Sequence, residues 1–351
     1  MNVSGAEVAA GMRLSVIIPA RNEQDCVGEC LRSLVAQEED GWRLGREWEI
    51  LLVDDHSTDD TRAIAEGVAG VTVMEAPKLE TGWTGKANAV WAGAQAARGE
   101  WLLFTDADTV HEAGSASRAI VEAEQHEVAM LSYSPRQIVT GLWQRALMPL
   151  VFSELAVTYP PAKVSDPESR LAAANGQFLL VRRDVYFAIG GHEAVKDAVL
   201  EDVTLAQMVK RRKQGLRLRY APEAVAVRMY RSVGAMAEGW TKNLALLFGN
   251  ALAMAAWRVL DLVLLVGLPL LTLWTVKHNV RGVFSLALLL MWARTLWRFY
   301  GRVRKSNFPF VDCLVSPVAL PLFAALLYRS WFKHTVLKRV SWKGREYVGG
   351  R

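Results

Sequence analysis

The stretch WLLFTDADT, residues 101–109, decides which fold this chain adopts. Its first half, WLLFT at 101–105, is a short apolar run that predicts a buried strand ending at Asp106. Helical stretches are predicted at about 24–36 and at 86–98. Three more runs predict strands: LSVIIP at 14–19, WEILLV at 48–53 and the short run at 71–74. This alternation of strands and helices predicts an α/β domain with a mainly parallel sheet.

Polar clusters follow three of the predicted strands, at residues 20–23, 54–61 and 106–109. In open parallel sheets, ligands bind outside the carboxyl ends of the strands. We therefore expect the three clusters to meet at one edge of the sheet and to form a binding site there.

The pair Asp106 and Asp108 is the first candidate for chemistry, because two carboxylates flank one small residue just beyond a strand. Strand alternation would direct both side chains the same way, and the carboxylates would then repel each other unless a cation lay between them. Mg²⁺ and Mn²⁺ prefer such oxygen ligands and often join carboxylates to phosphates. The alternative is a simple turn, in which an Asp caps a helix.

Two further candidates follow other strands. Asp54 lies at a strand tip, where no local capping role is expected, so its carboxylate is free to accept hydrogen bonds from a base or a ribose. The rest of the run VDDHSTDDT, 53–61, can be a turn with a helix N-cap. Lys86 begins a predicted helix, a position that suits a phosphate, although a lysine facing solvent is the simpler interpretation.

The composition changes after Asn243. The chain is 52% hydrophobic overall, and most of the excess lies in three apolar runs, at 259–276, 283–297 and 308–328. A membrane-spanning helix needs about 20 residues, so the first and third runs fit, and the second fits if its flanking arginines snorkel. Either one run is re-entrant or interfacial, or 244–257 adds a fourth. We expect an even number of crossings with both termini in the cytoplasm.

Charge supports a membrane rather than a nucleic acid as partner. Residues 277–351 contain 14 basic and 2 acidic side chains, whereas the rest contains 27 basic and 34 acidic ones. The basic residues of this tail lie between long apolar runs, which favours contact with anionic lipid headgroups. No signal peptide is expected at the N-terminus, and three cysteines without metal-type spacing suit a reducing compartment.

These observations predict a multi-pass protein of the inner membrane with its catalytic part in the cytoplasm. We expect three segments: a cytoplasmic domain at 1–243, membrane-associated helices at 244–332 and a basic cytoplasmic tail at 333–351. Residues 141–158 are apolar on most sides and predict a helix, either in the core or at the membrane interface.

The motifs, taken in order, resemble family 2 glycosyltransferases of the GT-A fold. The resemblance covers about 230 residues and is carried by six motifs: SVIIPARNE at 15–23, VDDHSTDDT at 53–61, GKANAV at 85–90, TDADT at 105–109, NGQFLLVRRDVYFAIGGH at 175–192 and LEDVTLAQMVKRR at 200–212. The apolar tail and the closing SWKGREYVG at 341–349 resemble the membrane-anchored subgroup that glycosylates hopanoid or carotenoid lipids.

The resemblance implies inverting transfer of a sugar from a nucleotide-sugar, expected to be a UDP-sugar, to a lipid acceptor, with Mg²⁺ or Mn²⁺ as cofactor. It implies that Asp202 is the catalytic base, with Glu201 as its acidic partner. Asp106 and Asp108 would hold the metal. The residues implied to bind the nucleotide-sugar are Pro19, Ala20, Arg21, Glu23, Asp54, Asp55, Lys86 and Asp106. Those on the acceptor side are Gly176 and Gln177.

The chain departs from the processive synthases of this family, because it has no QxxRW motif. Trp240 and Lys242 lie in the corresponding region and are candidates for the acceptor side, although Trp240 can equally be an interfacial anchor. His192 is a conceivable metal ligand, but a residue that fixes its loop is the simpler interpretation. The alternatives are a surface-polysaccharide glycosyltransferase and a catalytically silent scaffold that retains the fold.

Overall fold

The computed structural model describes residues 11–37, 41–280, 282–342 and 345–348. Through residue 138 the elements are β1 (Leu14–Ala20), α1 (Val27–Val35), β2 (Trp48–Asp54), α2 (Thr61–Glu66), β3 (Val71–Glu75), α3 (Gly85–Ala96), β4 (Trp101–Phe104), β5 (Thr109–His111), α4 (Ser115–Gln125), β6 (Met130–Ser134) and β7 (Arg136–Gln137).

After residue 138 helices predominate. The elements are α5 (Leu142–Thr158), α6 (Pro161–Ser165), β8 (Leu179–Arg182), α7 (Arg183–Ala188), α8 (Glu201–Arg211), β9 (Leu216–Tyr220), β10 (Val225–Val227), α9 (Val233–Leu247), α10 (Ala251–Lys277), α11 (Gly282–Val303), α12 (Phe310–Val315), α13 (Leu320–Phe332), β11 (Arg339–Trp342) and β12 (Arg345–Val348).

The chain divides into two compact units. Among the described residues, the first unit runs to Ile138 and continues from Pro161 to Met229. The second unit comprises Val139–Pro160 and the chain from Tyr230 onward. Helix α5 therefore belongs to the second unit, although most of that unit lies much later in the sequence.

A seven-stranded sheet forms the centre of the first unit, with the strand order β3-β2-β1-β4-β8-β6-β9. Four strand pairs, β1–β2, β1–β4, β2–β3 and β6–β9, are parallel. Strand β8 runs antiparallel to both of its neighbours, β4 and β6. The predicted mainly parallel α/β sheet is therefore confirmed.

Close packing against the sheet holds α3 in place. The strands β2 and β4 are buried along their whole length, as their continuous apolar runs predict for strands covered on both faces. A Cβ atom at Gly93 would lie 2.6 Å from Ile17 Cγ2 and 2.9 Å from Val53 Cγ2. Glycine at this position lets α3 lie directly on β1 and β2, which fixes the residues at its N-terminus.

Among its described residues, the second unit contains three helical segments that are long and apolar enough to cross a membrane: Ala251–Lys277, Gly282–Ser306 and Phe310–Leu337. An 18-residue window in each has a mean hydropathy of 2.2, 1.2 and 2.1. The first two predicted apolar runs lie within these segments, and the third, 308–328, begins two residues before its segment. Residues 244–257 do not form a separate helix, because they are divided between the end of α9 and the start of α10.

Candidate active site

The carboxyl ends of three neighbouring strands bring the first site residues together. In the sheet register, Ala20 at the end of β1 pairs with Asp54 at the end of β2. Ile17 of β1 pairs with Phe104, the last residue of β4, so Asp106 follows at the same edge. This register agrees with the expectation that the three polar clusters meet at one edge of the sheet.

The loops after β1 and β2 are joined by hydrogen bonds. The Asn22 Oδ1 atom accepts a hydrogen bond from Thr58 N at 2.9 Å, and Ser57 Oγ accepts one from Asn22 N at 3.0 Å. Glu23 N donates to Thr61 Oγ1 at 2.7 Å. The sequence analysis did not single out Asn22, although Asn is one of the few residues that tolerate its positive φ of 51°.

Asp54 and Asp55 are both buried. The Asp54 carboxylate accepts hydrogen bonds from Ser57 N at 3.3 and 3.4 Å, while the N-cap position of α2 is occupied by Asp60, so Asp54 does not cap that helix. Arg21 lies in the same place, and its Nη1 donates to the Asp55 carbonyl oxygen at 3.0 Å. The side chains expected beside a nucleoside therefore lie in one ordered group of loops.

Lys86 is the centre of the charged part of the site. Its Nζ lies 2.9 Å from Asp106 Oδ1 and 2.9 Å from Glu201 Oε1. The side chain of Thr84 caps α3 by accepting a hydrogen bond from Ala87 N, which fixes the first turn that carries Lys86. Burial opposes the charge on Lys86, but Asp106 and Glu201 outweigh it and raise the pKa well above its usual value. The ammonium group therefore stays protonated.

Glu201 and Asp202 lie in the first turn of α8. Asp202 Oδ2 accepts a hydrogen bond from Gly176 N at 2.8 Å. Burial and the neighbouring Glu201 raise the pKa of Asp202 to about 6, against the opposing effects of Lys86 and of the Gly176 hydrogen bond. A carboxylate with a pKa close to neutral is suited to accept and release a proton.

The side chains of Lys86 and Asp202 approach Gly176 closely, so a larger residue here would require the Lys86 ammonium group to move. A Cβ atom there would lie 3.1 Å from Lys86 Nζ and 3.5 Å from Asp202 Oδ2. The next residue, Gln177, is buried, and its carbonyl oxygen accepts a hydrogen bond from Thr105 Oγ1 at 2.8 Å. This loop precedes β8 and reaches the catalytic edge because β8 runs antiparallel to β4.

A small cleft opens at this centre. Apolar side chains form part of its wall, and the charged groups form the rest. Its lining residues are Pro19, Lys86, Val90, Phe104, Thr105, Asp106, Gly176, Leu179, His192, Glu201 and Asp202. The structure therefore places residues from five of the six motifs, and the Phe104 strand end, around one cavity.

His192 lines the cleft, and hydrogen bonds hold its ring in place. Its Nδ1 is 2.8 Å from Tyr186 Oη, which also accepts a hydrogen bond from His192 N at 3.1 Å. Burial lowers the pKa of His192 to about 4, so the ring is neutral near pH 7. These contacts favour the interpretation that His192 fixes its own loop.

Asp106 and Asp108 lie in a turn between β4 and β5, not on an extended strand. The argument from strand alternation therefore does not apply to them. The turn is closed by Thr109, whose Oγ1 donates to the Asp106 carbonyl oxygen at 2.8 Å. Sequence reasoning missed the buried group behind it, in which Thr105 Oγ1 and Thr109 Oγ1 each lie 3.1 Å from His111 Nε2.

The two carboxylates of this turn can hold a hard divalent cation only together with further oxygen ligands. The part of the chain that the structure describes contains no ready group of three or more His, Cys, Asp or Glu side chains that could hold a metal ion. Mg²⁺ is commonly held by one or two carboxylates together with substrate phosphates. Asp106 and Asp108 therefore fit such an ion when phosphate oxygens complete its coordination.

Trp240 and Lys242 lie on α9 in the second unit. Trp240 is buried, and its ring packs against Phe152 and Tyr230 with centroid distances of 6.1 and 5.9 Å. The Lys242 carbonyl oxygen is 2.8 Å from His334 Nε2. These contacts are all within the second unit.

The fold is that of GT-A enzymes. The structure is similar to the mannosyltransferase of Pyrobaculum calidifontis in complex with GDP-Man and Mn²⁺, with a TM-score of 0.53, 18% identity and coverage of 96% of this chain and 90% of that one. The fold and the lysine–carboxylate centre thus define an enzyme of the glycosyltransferase class. Residues 15–189, about half of the chain, match the profile "Glycosyl transferase family 2", and the chain belongs to this family.

A curated relative extends the similarity into the second unit. The 4,4'-diaponeurosporenoate glycosyltransferase of Staphylococcus aureus (strain MRSA252) is 24% identical over 347 residues, covering 95% of this chain and 88% of its own length. Sequences with the same name from other strains of that organism match equally well, for example from strain USA300.

Proposed function

We propose that this enzyme transfers a sugar from a nucleotide-sugar to a carotenoid-type lipid acceptor at the cytoplasmic face of the inner membrane, with inversion at the anomeric carbon. The observation that carries the proposal is the position of Asp202 beside Lys86 and Asp106 in one cleft. The acceptor class follows from the name of the Staphylococcus aureus relative and from the apolar helices of the second unit.

Inverting transfer is a single displacement, and each part of it has a suitable group in the cleft. The Asp202 carboxylate accepts the proton of the acceptor hydroxyl as its oxygen attacks the anomeric carbon. The hydrogen bond from Gly176 N fixes the orientation of that carboxylate. The bond between the sugar and the diphosphate breaks in the same step.

Lys86 is the protein's own group for the departing diphosphate. Its protonated Nζ opposes the negative charge that develops as the sugar–phosphate bond breaks. Asp106 and Asp108 would hold a divalent cation, Mg²⁺ or Mn²⁺, which when bound supplies Lewis-acid stabilisation of the diphosphate. Asp54, Asp55 and the loop from Pro19 to Glu23 would contact the nucleoside, for which uridine is the family expectation.

The acceptor side is assigned to the loop of Gly176 and Gln177, which borders Asp202. Trp240 and Lys242 of the second unit remain candidates for the same role. We further propose an even number of membrane crossings, because basic side chains concentrate on the cytoplasmic side of membrane proteins. The tail beyond residue 333 would then lie in the cytoplasm with the catalytic unit.

The test is nucleoside diphosphate release by membranes that contain the full-length protein. A panel of UDP-sugars and GDP-sugars is supplied with Mn²⁺, Mg²⁺ or EDTA, with and without an extract of carotenoid lipids. We expect release that needs the metal, rises with the lipid extract and is lost in Asp108→Ala. Release by the Asp108→Ala variant equal to that of the wild type under every condition would overturn the proposal.

A further inference from the structure

A layer of charged side chains crosses the apolar helices of the second unit. Glu154 of α5 and Asp261 of α10 are buried, and so is Arg258 of α10. Arg258 Nη1 lies 2.7 Å from Glu154 Oε1, and its Nη2 lies 2.9 Å from Asp261 Oδ2. One buried arginine thus joins the two buried carboxylates of this layer.

Helix α11 adds a row of three arginines to this layer. Arg294, Arg298 and Arg302 are spaced by four residues and therefore lie along one face of the helix. Arg302 Nη2 donates to Glu154 Oε2 at 2.9 Å, and Arg298 donates to Asp261 Oδ1. Arg294 is exposed, and no described residue forms an ion pair with it.

The charges of this layer do not balance. Four arginines, counting Arg258, face two carboxylates, and Arg298 remains 55% exposed while it pairs with Asp261. An unbalanced positive charge among apolar side chains is costly unless an anion accompanies it. Within the row on α11, Arg294 has no anionic partner among the described residues, and Arg298 is only partly covered by its own partner.

The depth of the layer shows where that anion would come from. Asp261 lies 16 residues before the end of α10 and Arg298 lies 16 residues after the start of α11, so both are about 24 Å from the loop that joins the helices. The hydrocarbon core of a bilayer is about 30 Å thick. If that loop lies at one membrane surface, Arg298 and Arg302 lie close to the opposite headgroup region. Arg294, about 18 Å from the loop, lies deeper in the core and reaches toward the same headgroups with its long side chain.

Exposed tryptophans mark the same level. Trp297 is 84% exposed and precedes Arg298, and Trp257, also exposed, precedes Arg258. Tryptophan is enriched where the apolar core of a membrane meets its headgroups. The arginines are thus flanked by side chains typical of the membrane interface.

From this geometry we infer that Arg294 and Arg298 bind the phosphate of an anionic phospholipid whose acyl chains lie against the apolar surface of α11. The inference rests on the proposed even number of membrane crossings, with α10 and α11 as the pair of helices that crosses. Arginine suits this role because its planar guanidinium can hold two phosphate oxygens at once, and Asp261 fixes the position of Arg298.

The experiment measures the preference of the full-length protein for spin-labelled phosphatidylglycerol over spin-labelled phosphatidylcholine in lipid nanodiscs. The variant is Arg294→Gln, which breaks no ion pair. The matched control is Arg304→Gln, which removes one exposed positive charge just beyond α11. We expect the preference to fall about fivefold in Arg294→Gln, the loss typical of one basic side chain at a membrane surface, and to persist in Arg304→Gln. Arg294→Lys should lose part of the preference, because an ammonium group keeps the charge but lacks the planar fork that holds two phosphate oxygens.

Several outcomes would overturn the lipid site. An unchanged preference in Arg294→Gln does so, and so does an equal loss in Arg304→Gln, which indicates diffuse attraction. Displacement of the label by inorganic phosphate at the same concentration as the lipid shows a site for phosphate alone. Release of the wild type from membranes by alkaline carbonate would instead disprove the membrane placement, and the proposed sugar transfer is then judged separately by its own assay.

Discussion

Two groups of charged side chains differ in how their charges are balanced. In the first unit, Lys86 stands among Asp106, Glu201 and Asp202, so negative charge is in excess around an open cleft. In the second unit, arginines outnumber Glu154 and Asp261 among apolar helices. In the first unit the excess charge is negative, so the missing partner is a cation, which can also bind phosphate. In the second unit the excess charge is positive, so the missing partner is an anion.

The two groups also differ in what their carboxylates do. Glu154 is bound by two arginines and is 2% exposed, so its charge is fully used in holding helices together. Asp202 receives a hydrogen bond from Gly176 N but borders the cleft. Removing a carboxylate should therefore reduce activity in the first group and stability in the second.

The largest expected effect is on catalysis. Asp202→Asn keeps the size of the side chain and can still accept the hydrogen bond from Gly176 N, but it cannot take a proton. With a hydroxyl acceptor, kcat should fall by about 10² to 10⁴, the contribution of a general base. Steady-state rates with matched hydroxyl and carboxylate acceptors provide the measurement.

A carboxylate acceptor is already ionised, so with that acceptor the same substitution should cost less than about tenfold. A carboxylate acceptor is therefore tested beside the hydroxyl one. Full activity of Asp202→Asn with both acceptors would show that Asp202 is not the base.

The next effect is on stability, and here the loss should be larger in the second group than in the first. Glu154→Gln leaves Arg258 and Arg302 without their shared carboxylate, and breaking one side of a buried ion pair costs about 3–5 kcal/mol. Glu201→Gln is the matched comparison, because Lys86 is 39% exposed and keeps Asp106 as a second partner, so the loss of stability should be smaller. Thermal unfolding in detergent measures the stability of both variants. Equal decreases in Tm would show that the two groups do not differ in this way.

A smaller effect is expected on the pH dependence of kcat/KM, which tests the electrostatics of the first group. A base must be deprotonated to act, so kcat/KM should rise with pH through the pKa of Asp202, about 6. Lys86 lowers that pKa, and Lys86→Gln should therefore move the rising limb to higher pH. The pH profiles of wild type and variant give the answer, and a limb that stays in place in Lys86→Gln would exclude the coupling.

The smallest effect comes from the uncharged residues behind the Asp106 turn. Thr109→Val retains the shape of the side chain but removes a hydroxyl that lies within hydrogen-bonding distance of Thr105 and His111. Leaving buried polar groups without partners should lower the unfolding free energy by about 1–3 kcal/mol. Thr109→Ser keeps the hydroxyl and serves as the control in chemical unfolding, where a Ser variant as unstable as the Val variant would point to packing instead.

Much of the first unit was predictable because its signals are local. Continuous apolar runs indicated β1, β2 and β4, and the polar residues after them marked the binding edge. The antiparallel direction of β8 was not predicted, since pairing partners far apart in sequence leave no periodic signal. Lys86 and Glu201 are 115 positions apart, and only the folded chain shows that their side chains meet.

The charged layer of the second unit was missed for a related reason. The sequence shows Asp261 and Glu154 only as single charges within apolar runs. A run taken alone indicates no partner for either. The partners lie on three different helices, so the balance of charge in this layer is a tertiary property.

The position of α5 has a consequence for the timing of protein synthesis. Glu154 and Arg258 are 104 positions apart, so at 5–20 residues per second the ribosome adds Arg258 roughly 5–20 s after Glu154. During that interval α5 has left the ribosome without the helices that cover it. A nascent chain halted before α10 would expose the apolar helix α5. Chaperones that bind newly made membrane proteins would then be expected to bind this helix.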